Sequence, residues 1–364
     1  MRFLLFSRAG EYRALANGNN GGKLAQPRMP VVSVIIVNFN GAHLLPDCLG
    51  SLKQQTFGDF EVIFVDNGST DPSVNIAREL FPQIEIIALD SNTGFAHANN
   101  VGIATARGEL VVLLNNDACA APTFLEELLR AVESNEEIGL AAPKILNFFE
   151  RTVIDSVGGL RMTADGIGEG RGRGEVDNGQ YDELVDILVP SGCAALYRRK
   201  MLEEIGGFAD EFFAYCEDAE LGLRTRLAGY RAISVPKAIA YHKYSASTHA
   251  YSSQKLFLVE RNRLYVLMRT YPMRLILLSP IWTLCRYVLM GYAALSRRGR
   301  GVAVNNEGVG TLAFALVRGA WNGLRSLPDQ WRRRASVARK IPSSAFVTLL
   351  RNHRASLRHL ILRP

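Results

Sequence analysis

The sequence predicts an α/β protein built on a mainly parallel sheet. Three observations carry this prediction: aliphatic runs of strand length, helix-like stretches between them, and a polar cluster closing each run. Residues 31–37 (VVSVIIV) form a nearly unbroken β-branched run, as expected for a strand covered on both faces. Asn38-Phe39-Asn40-Gly41 closes it, and a helical stretch follows to about Gln55. Residues 61–65 repeat the pattern and end in Asp66-Asn67-Gly68-Ser69-Thr70-Asp71. A helix to about Phe81, a strand over 84–89, the loop Asn92-Thr93-Gly94 and a small-residue helix to Ala106 come next. A fourth strand over 110–114 ends in Asn115-Asn116-Asp117.

Beyond this alternation the pattern loosens. Residues 158–179 are glycine-rich and include Gly170-Arg171-Gly172-Arg173-Gly174, which reads as a mobile loop or loose hairpin. A strand is expected over 188–198, and a loop running into a helix over 211–229. Helical stretches follow at 255–270, 275–295 and 311–327. The organisation expected is a flexible leader (1–30), a catalytic domain (31–250) and a basic, amphipathic helical region (251–364).

Composition narrows the class. The 364 residues carry a net charge of +7, but the charge is unevenly divided. Residues 1–250 hold 22 basic and 32 acidic side chains, whereas 251–364 hold 20 basic and 3 acidic. An acidic body with a basic tail suggests a membrane-surface or nucleic-acid partner. Apolar stretches interleave the arginines, which disfavours nucleic acid. Five scattered cysteines with no Cys-x-x-Cys support neither a disulfide framework nor a structural zinc site, and they favour a reducing compartment. The apolar run at 3–6 is too short for a signal-peptide core, so secretion is not expected.

In parallel sheets ligands bind beyond the carboxyl ends of the strands, where these polar clusters fall. A strand-end carboxylate such as Asp66 can accept from a base imide or a ribose hydroxyl. Asp117, in its Asn-Asn-Asp turn, can hold a hard divalent cation that in turn holds phosphates. Against this, Asp and Asn favour turns for conformational reasons alone. Asp218, in Glu217-Asp218-Ala219-Glu220, is either a helix cap or a general base. Arg171 and Arg173 could clamp phosphate or lie on a solvated hairpin. Arg261-Asn262-Arg263 could line a pocket or a solvated helix face.

Taken in order, residues 34–40, 65–71, 92–96, 113–117 and the Glu217-Asp218-x-x-Leu221-x-x-Arg224 motif resemble family 2 glycosyltransferases of the GT-A fold. The Asn-Asn-Asp turn, with Gly206-Gly207-Phe208 ahead of the acidic motif, is similar to the rhamnosyltransferase-like branch acting in bacterial surface polysaccharides. The resemblance covers roughly 31–250. It implies that Asp66 recognises the nucleotide base, with Asn38 and Asn40 beside it, and that Asn92 and Asn100 line the donor pocket. It implies that Asp117 binds Mg²⁺ or Mn²⁺ bridging the donor diphosphate, that Asp218 is the base, and that Glu217 helps hold the acceptor. Many relatives carry Asp-x-Asp at the metal turn; here Asn115 replaces the first carboxylate, so a further ligand is expected elsewhere, and His242 stands at a matching position.

The expected activity is inverting transfer of a sugar, with L-rhamnose from dTDP-rhamnose as the leading donor, to a lipid-linked or saccharide acceptor. A hexosyl- or N-acetylhexosaminyltransferase of the same fold is the alternative. A Rossmann oxidoreductase is disfavoured because no Gly-x-Gly-x-x-Gly follows the first strand. An inactive membrane scaffold is disfavoured by the joint presence of Asp66, Asp117 and Asp218. A homo-oligomer is compatible with the sequence.

The tail is expected to associate with the cytoplasmic face of the membrane. Residues 275–295 are long enough to span, since ~20 apolar residues suffice. Arg286 near the centre opposes that by roughly 2.5–3.5 kcal/mol, and Pro280 would kink the helix. Amphipathic helices in the interface, with Arg297, Arg298 and Arg300 at the headgroups, fit better. The competing account is a soluble helical unit packed on the catalytic body.

Overall fold

The computed structural model describes residues 29–243, 252–296 and 308–362. Nearly all of the expected leader, and Arg297, Arg298 and Arg300, lie outside them. Strand β1 (Val32–Asn38) pairs in parallel with β2 (Phe60–Asp66), and β2 with β3 (Glu85–Ala88). On its other side β1 pairs in parallel with β4 (Leu110–Leu114). The register sets Asn38 directly opposite Asp66, so the polar ends of these strands share one edge. Helices α1 (Leu45–Lys53), α2 (Ser73–Leu80) and α3 (Phe95–Thr105) make the crossovers.

The continuous hydrophobicity of β1 has a direct cause. Val32, Val34 and Ile36 join one buried cluster with α1, while Ile35 joins the opposite cluster with α3. Each face is covered by helix, so no alternation with polar residues survives.

The sheet then turns mixed. β10 (Ala194–Arg198) lies antiparallel between β4 and β6 (Ile138–Asn147). β11 (Arg231–His242) runs parallel to β6 and antiparallel to the short β5 (Ala118–Ala120). β7 (Ile154–Val157) pairs with β6 at the side. Helix α4 (Phe124–Val132) follows β5, and α5 (Arg199–Ile205) follows β10. The strand expected over 188–198 is shorter, because 185–192 is held by irregular contacts: Leu160 N–H donates to Val189 O, and Ile187 N–H to Ala232 O. Within the glycine-rich stretch β8 (Leu160–Met162) and β9 (Gly168–Gly170) pair as a hairpin, one of the two forms expected, and residues 171–174 continue as turns.

Helix α6 (Glu217–Leu227) precedes β11, and the C-terminal helices come after that strand. These are α7 (Ser253–Thr270), α8 (Met273–Ser296), α9 (Val309–Arg325), α10 (Leu327–Arg334), α11 (Ser343–Asn352) and α12 (Leu357–Leu362). The C-terminal helices pack on residues that precede position 250. Leu188, Phe212 and Leu223 share one buried cluster with Tyr265, Tyr271, Phe346 and Leu350. Tyr271 donates its hydroxyl to Thr163 O, and Lys340 N–H reaches Leu227 O.

Candidate active site

The site is a row of side chains along the carboxyl edge of the sheet, tied together through neighbouring backbone. At one end, buried Asp66 accepts from Ser69 N–H at 3.0 Å and from Asn38 Nδ2 at 3.4 Å. Asn40 takes a positive φ of 50°, which lets its side chain accept from Thr70 N–H while its own N–H donates to Ser69 Oγ. The Asp66–Asp71 turn is thereby fastened to the end of β1.

Asn38 is the hinge of the row. Its Oδ1 accepts from Asn116 Nδ2 at 2.7 Å, joining the ends of β1 and β4. A Cβ at Gly41 would lie 2.4 Å from both atoms, so the close approach requires glycine. The Asn115 side chain is half-buried, and its N–H donates to Cys193 O at 2.8 Å. One residue earlier, Gly192 N–H donates to Asp218 Oδ2 at 2.8 Å. Asp66 is thus linked to Asp218 through Asn38, Asn116, Asn115 and the 192–193 backbone.

Asp117 and His242 meet where β5 pairs with the end of β11. The Asp117 Oδ1 to His242 Nε2 distance is 3.3 Å, yet Oδ1 is buried and has no hydrogen-bond partner. On the other side of the ring, His242 Nδ1 lies 2.7 Å from Asp155 Oδ2. Burial alone would lower the His242 pKa, but the Cys193 thiol, Asp117 and Asp155 outweigh it and raise it well above the ordinary value. Burial alone would raise Asp155, but Arg173 and His242 hold it well below the usual carboxylate range.

A buried carboxylate oxygen facing an imidazole nitrogen at 3.3 Å could take a small divalent cation in exchange for the proton on the ring. Among the described residues no cluster of three or more His, Cys, Asp or Glu side chains could hold a metal. Asp117 and His242 would therefore supply two ligands, with waters or diphosphate oxygens completing the sphere.

The acidic pair opens α6. Cys216 is the capping residue, with φ of 66° and no side-chain cap, so Asp218 lies inside the first turn and is not the cap. Phe213, Tyr215 and Cys216 all have positive φ, an arrangement that costs on the order of 1–3 kcal/mol per residue. Asn262 offsets this: its Nδ2 lies within 2.9 Å of the carbonyls of Phe212, Ala214 and Tyr215. Arg261 adds bonds to the carbonyls of Glu211 and Phe212. Arg261 and Asn262 therefore hold the 211–216 loop, and with Asn262 and Arg263 buried the motif is not a solvated face.

The two carboxyls differ in environment. Asp218 is half-buried and accepts from Gly192 and Ala219 N–H. Glu217 is buried, and its Oε2 has no partner. Burial, and then the neighbouring Asp218, push Glu217 well above the ordinary carboxylate pKa. Burial raises Asp218 too, against the pull of its two N–H donors.

Some expected site residues have other employment. Asn100 is committed at both ends of its amide: Nδ2 donates to Phe208 O and Asp210 Oδ1, and Oδ1 accepts from Phe208 N–H. It fixes the 206–210 loop, with both amide hydrogens committed there. Asn92 Oδ1 accepts from Gly94 N–H and Asn67 Nδ2, shaping the loop that precedes α3. Arg173 is paired with Asp155, and the Arg171 guanidinium lies 4.6 Å over the Tyr181 ring, so neither stands ready as a phosphate clamp. Sequence reasoning missed Asp155, Asn116 as the bridge, and Gly192. Asp155 stands in a short strand with no motif around it, and only the fold brings it to His242.

This architecture is that of a GT-A transferase, with its polar strand ends converging on one edge. Residues 33–206, somewhat under half of the chain, match the family described as "Glycosyl transferase family 2". It is 31% identical over 231 residues to the O-antigen biosynthesis protein RfbC of Myxococcus xanthus, covering 61% of this chain and 18% of that protein. It is 27% identical over 243 residues to the N-acetylglucosaminyl-diphospho-decaprenol L-rhamnosyltransferase of Mycobacterium tuberculosis, covering 60% and 78%. Among solved structures, S. aureus TarS aligns with a TM-score of 0.49 at 18% identity, covering 84% of this chain and 53% of that one. The chain spans between 18% and 36% of the length of the first three curated relatives.

Proposed function

We propose that the protein is an inverting, divalent-metal-assisted glycosyltransferase using a nucleoside diphosphate sugar, with L-rhamnose from dTDP-rhamnose as the leading donor. The acceptor would be a lipid-linked or saccharide hydroxyl in cell-surface polysaccharide synthesis. The observation that carries this reading is the continuous link from Asp66 through Asn38, Asn116 and the 192–193 backbone to Asp218, with Asp117 next in chain to Asn116. Base recognition, diphosphate binding and proton removal need separated but rigidly related groups. The rhamnosyl donor draws its support from the mycobacterial relative named above.

Asp66 and Asn38 would receive the base and ribose end of the donor. Asp117 and His242 would hold the cation, which supplies positive charge to the departing diphosphate. Asp218 would accept the proton of the acceptor hydroxyl as its oxygen bonds to the anomeric carbon. The bond from that carbon to the diphosphate oxygen breaks on the opposite face, and its electron pair leaves with the nucleoside diphosphate. Attack from the face opposite the leaving group inverts the centre. The Asp218 charge is kept available by the Gly192 and Ala219 N–H groups, whereas partnerless Glu217 favours its protonated form. Protonated Glu217 would donate to the acceptor.

A panel of dTDP-rhamnose, UDP-galactose and UDP-N-acetylglucosamine, scored for nucleoside diphosphate release with Mg²⁺, Mn²⁺ or chelator, tests the reading. Expected is cation-dependent release from one donor, with Asp117→Ala losing the cation stimulation. Release indifferent to cation, or a product that retains the donor's anomeric configuration, would refute it.

A further inference from the structure

Large apolar side chains left exposed among the described residues are concentrated in one region: fourteen of nineteen fall between Met273 and Trp331. On α8, Leu277, Ile281, Leu284 and Val288 recur at helical spacing, with Leu284 64% exposed. On α9, Phe314, Val317, Trp321 and Leu324 do the same, with Val317 67% exposed. Two such stripes exceed the scattered apolar residues of an ordinary surface.

The opposite faces of both helices are anchored, so the stripes cannot turn inward. On α8, Arg286 is buried, with Nε 2.6 Å from Asp165 Oδ2 and Nη2 2.8 Å from Glu260 Oε2. On α9, Gly319 and Gly323 press against α7; a Cβ at Gly319 would lie 2.6 Å from Phe257 O and 3.0 Å from Glu260 Cβ. Both helices therefore meet α7 at Glu260, and their outward stripes flank the same contact.

Charge selects the occupant. Residues 251–364 carry 20 basic and 3 acidic side chains, and Arg318, Arg325 and Arg332 stand exposed on α9 and α10. A second copy docking on this face would oppose like charge to like charge. An anionic bilayer accepts both features: acyl chains take the stripes, and headgroups take the arginines. Arg325 lies 5.9 Å over the Trp321 ring, pairing a cation with an indole as interfacial anchors do.

Helix α8 has the length to span, about 36 Å at 1.5 Å per residue. Spanning would pull Arg286 from Asp165, between β8 and β9, and from Glu260 on α7. We propose that α8 and α9 lie in the plane of an anionic membrane, seated to the depth of their apolar stripes, as a monotopic docking face. The inference is independent of the donor and acceptor chemistry.

The test is flotation of the full chain with vesicles of phosphatidylglycerol and phosphatidylcholine, against phosphatidylcholine alone. Binding is expected only with the anionic vesicles, reduced by high salt and released by alkaline carbonate. The double variant Leu284→Glu/Val317→Glu should bind at least tenfold more weakly, with unchanged circular dichroism and unchanged donor binding. Should that variant misfold, Leu277→Glu/Trp321→Glu provides the same comparison. Unchanged vesicle binding in a folded variant overturns the proposal. Resistance to carbonate overturns it in favour of a span, and a dimer that dissociates on these substitutions overturns it in favour of a second copy.

Discussion

His242 Nδ1 and Asp155 Oδ2 stand 2.7 Å apart, with the opposite ring nitrogen facing Asp117. Asp155 is itself held by Arg173 from the turn that follows β9. A carboxylate behind a histidine fixes the ring orientation and the tautomer, and here it aims Nε2 at Asp117, the arrangement the proposed cation site would use. Asp155→Asn should therefore weaken Mn²⁺ binding by about 10–100-fold. Titration of Mn²⁺ by electron paramagnetic resonance in the presence of nucleoside diphosphate reads this directly, without turnover.

The acidic pair separates by substitution. Asp218→Asn should lower kcat by about 10²–10⁴-fold, the usual worth of a positioned base. Glu217→Gln keeps a neutral donor in place and should retain most activity. Equal losses in both would remove the distinction between base and acceptor contact.

The same pair sets a pH dependence. Burial raises the Asp218 pKa, so the base form is lost as pH falls through a value above the ordinary ~3.9 of aspartate. The acid limb of kcat/KM should lie above that value and vanish in Asp218→Asn. Stability runs in the corresponding sense. A raised Glu217 pKa favours folding at low pH, and the contribution is lost as pH rises through the folded-state value. Glu217→Gln should thus raise Tm at pH 8 and have little effect at pH 4.

Asn262 is the fastening of the strained loop. Asn262→Ala leaves three backbone carbonyls without their shared donor, and should cost at least about 2 kcal/mol. Thermal denaturation measures the loss. Because Phe213 O also accepts from Ala96 N–H, kcat should fall with it.

Phe346 tests whether the C-terminal helices belong to the catalytic body. It is fully buried in the cluster that contains Phe212 and Leu223. Phe346→Ala should destabilise the whole chain by about 3–5 kcal/mol in one transition. A separate, earlier transition would show that the helices unfold on their own.

The sequence by itself determined the sheet and its polar edge. Covered strands must be continuously apolar, and their ends must be polar, so β1, β2 and β4, with Asn38, Asp66 and Asp117 at or just past their ends, were legible from local pattern alone. The tertiary structure decided everything that depends on contact between distant segments. Asp155 reaches His242 across 87 residues, Asn262 reaches Tyr215 across 47, and Arg286 reaches Asp165 across 121. Such pairs leave no periodicity, because a single buried hydrogen bond constrains one side chain at each end and nothing between. For the same reason the sequence did not show that the Asn100 amide bonds the Phe208 backbone. Arg286 marked an anomaly in an apolar helix; only its two carboxylate partners show which way that helix faces.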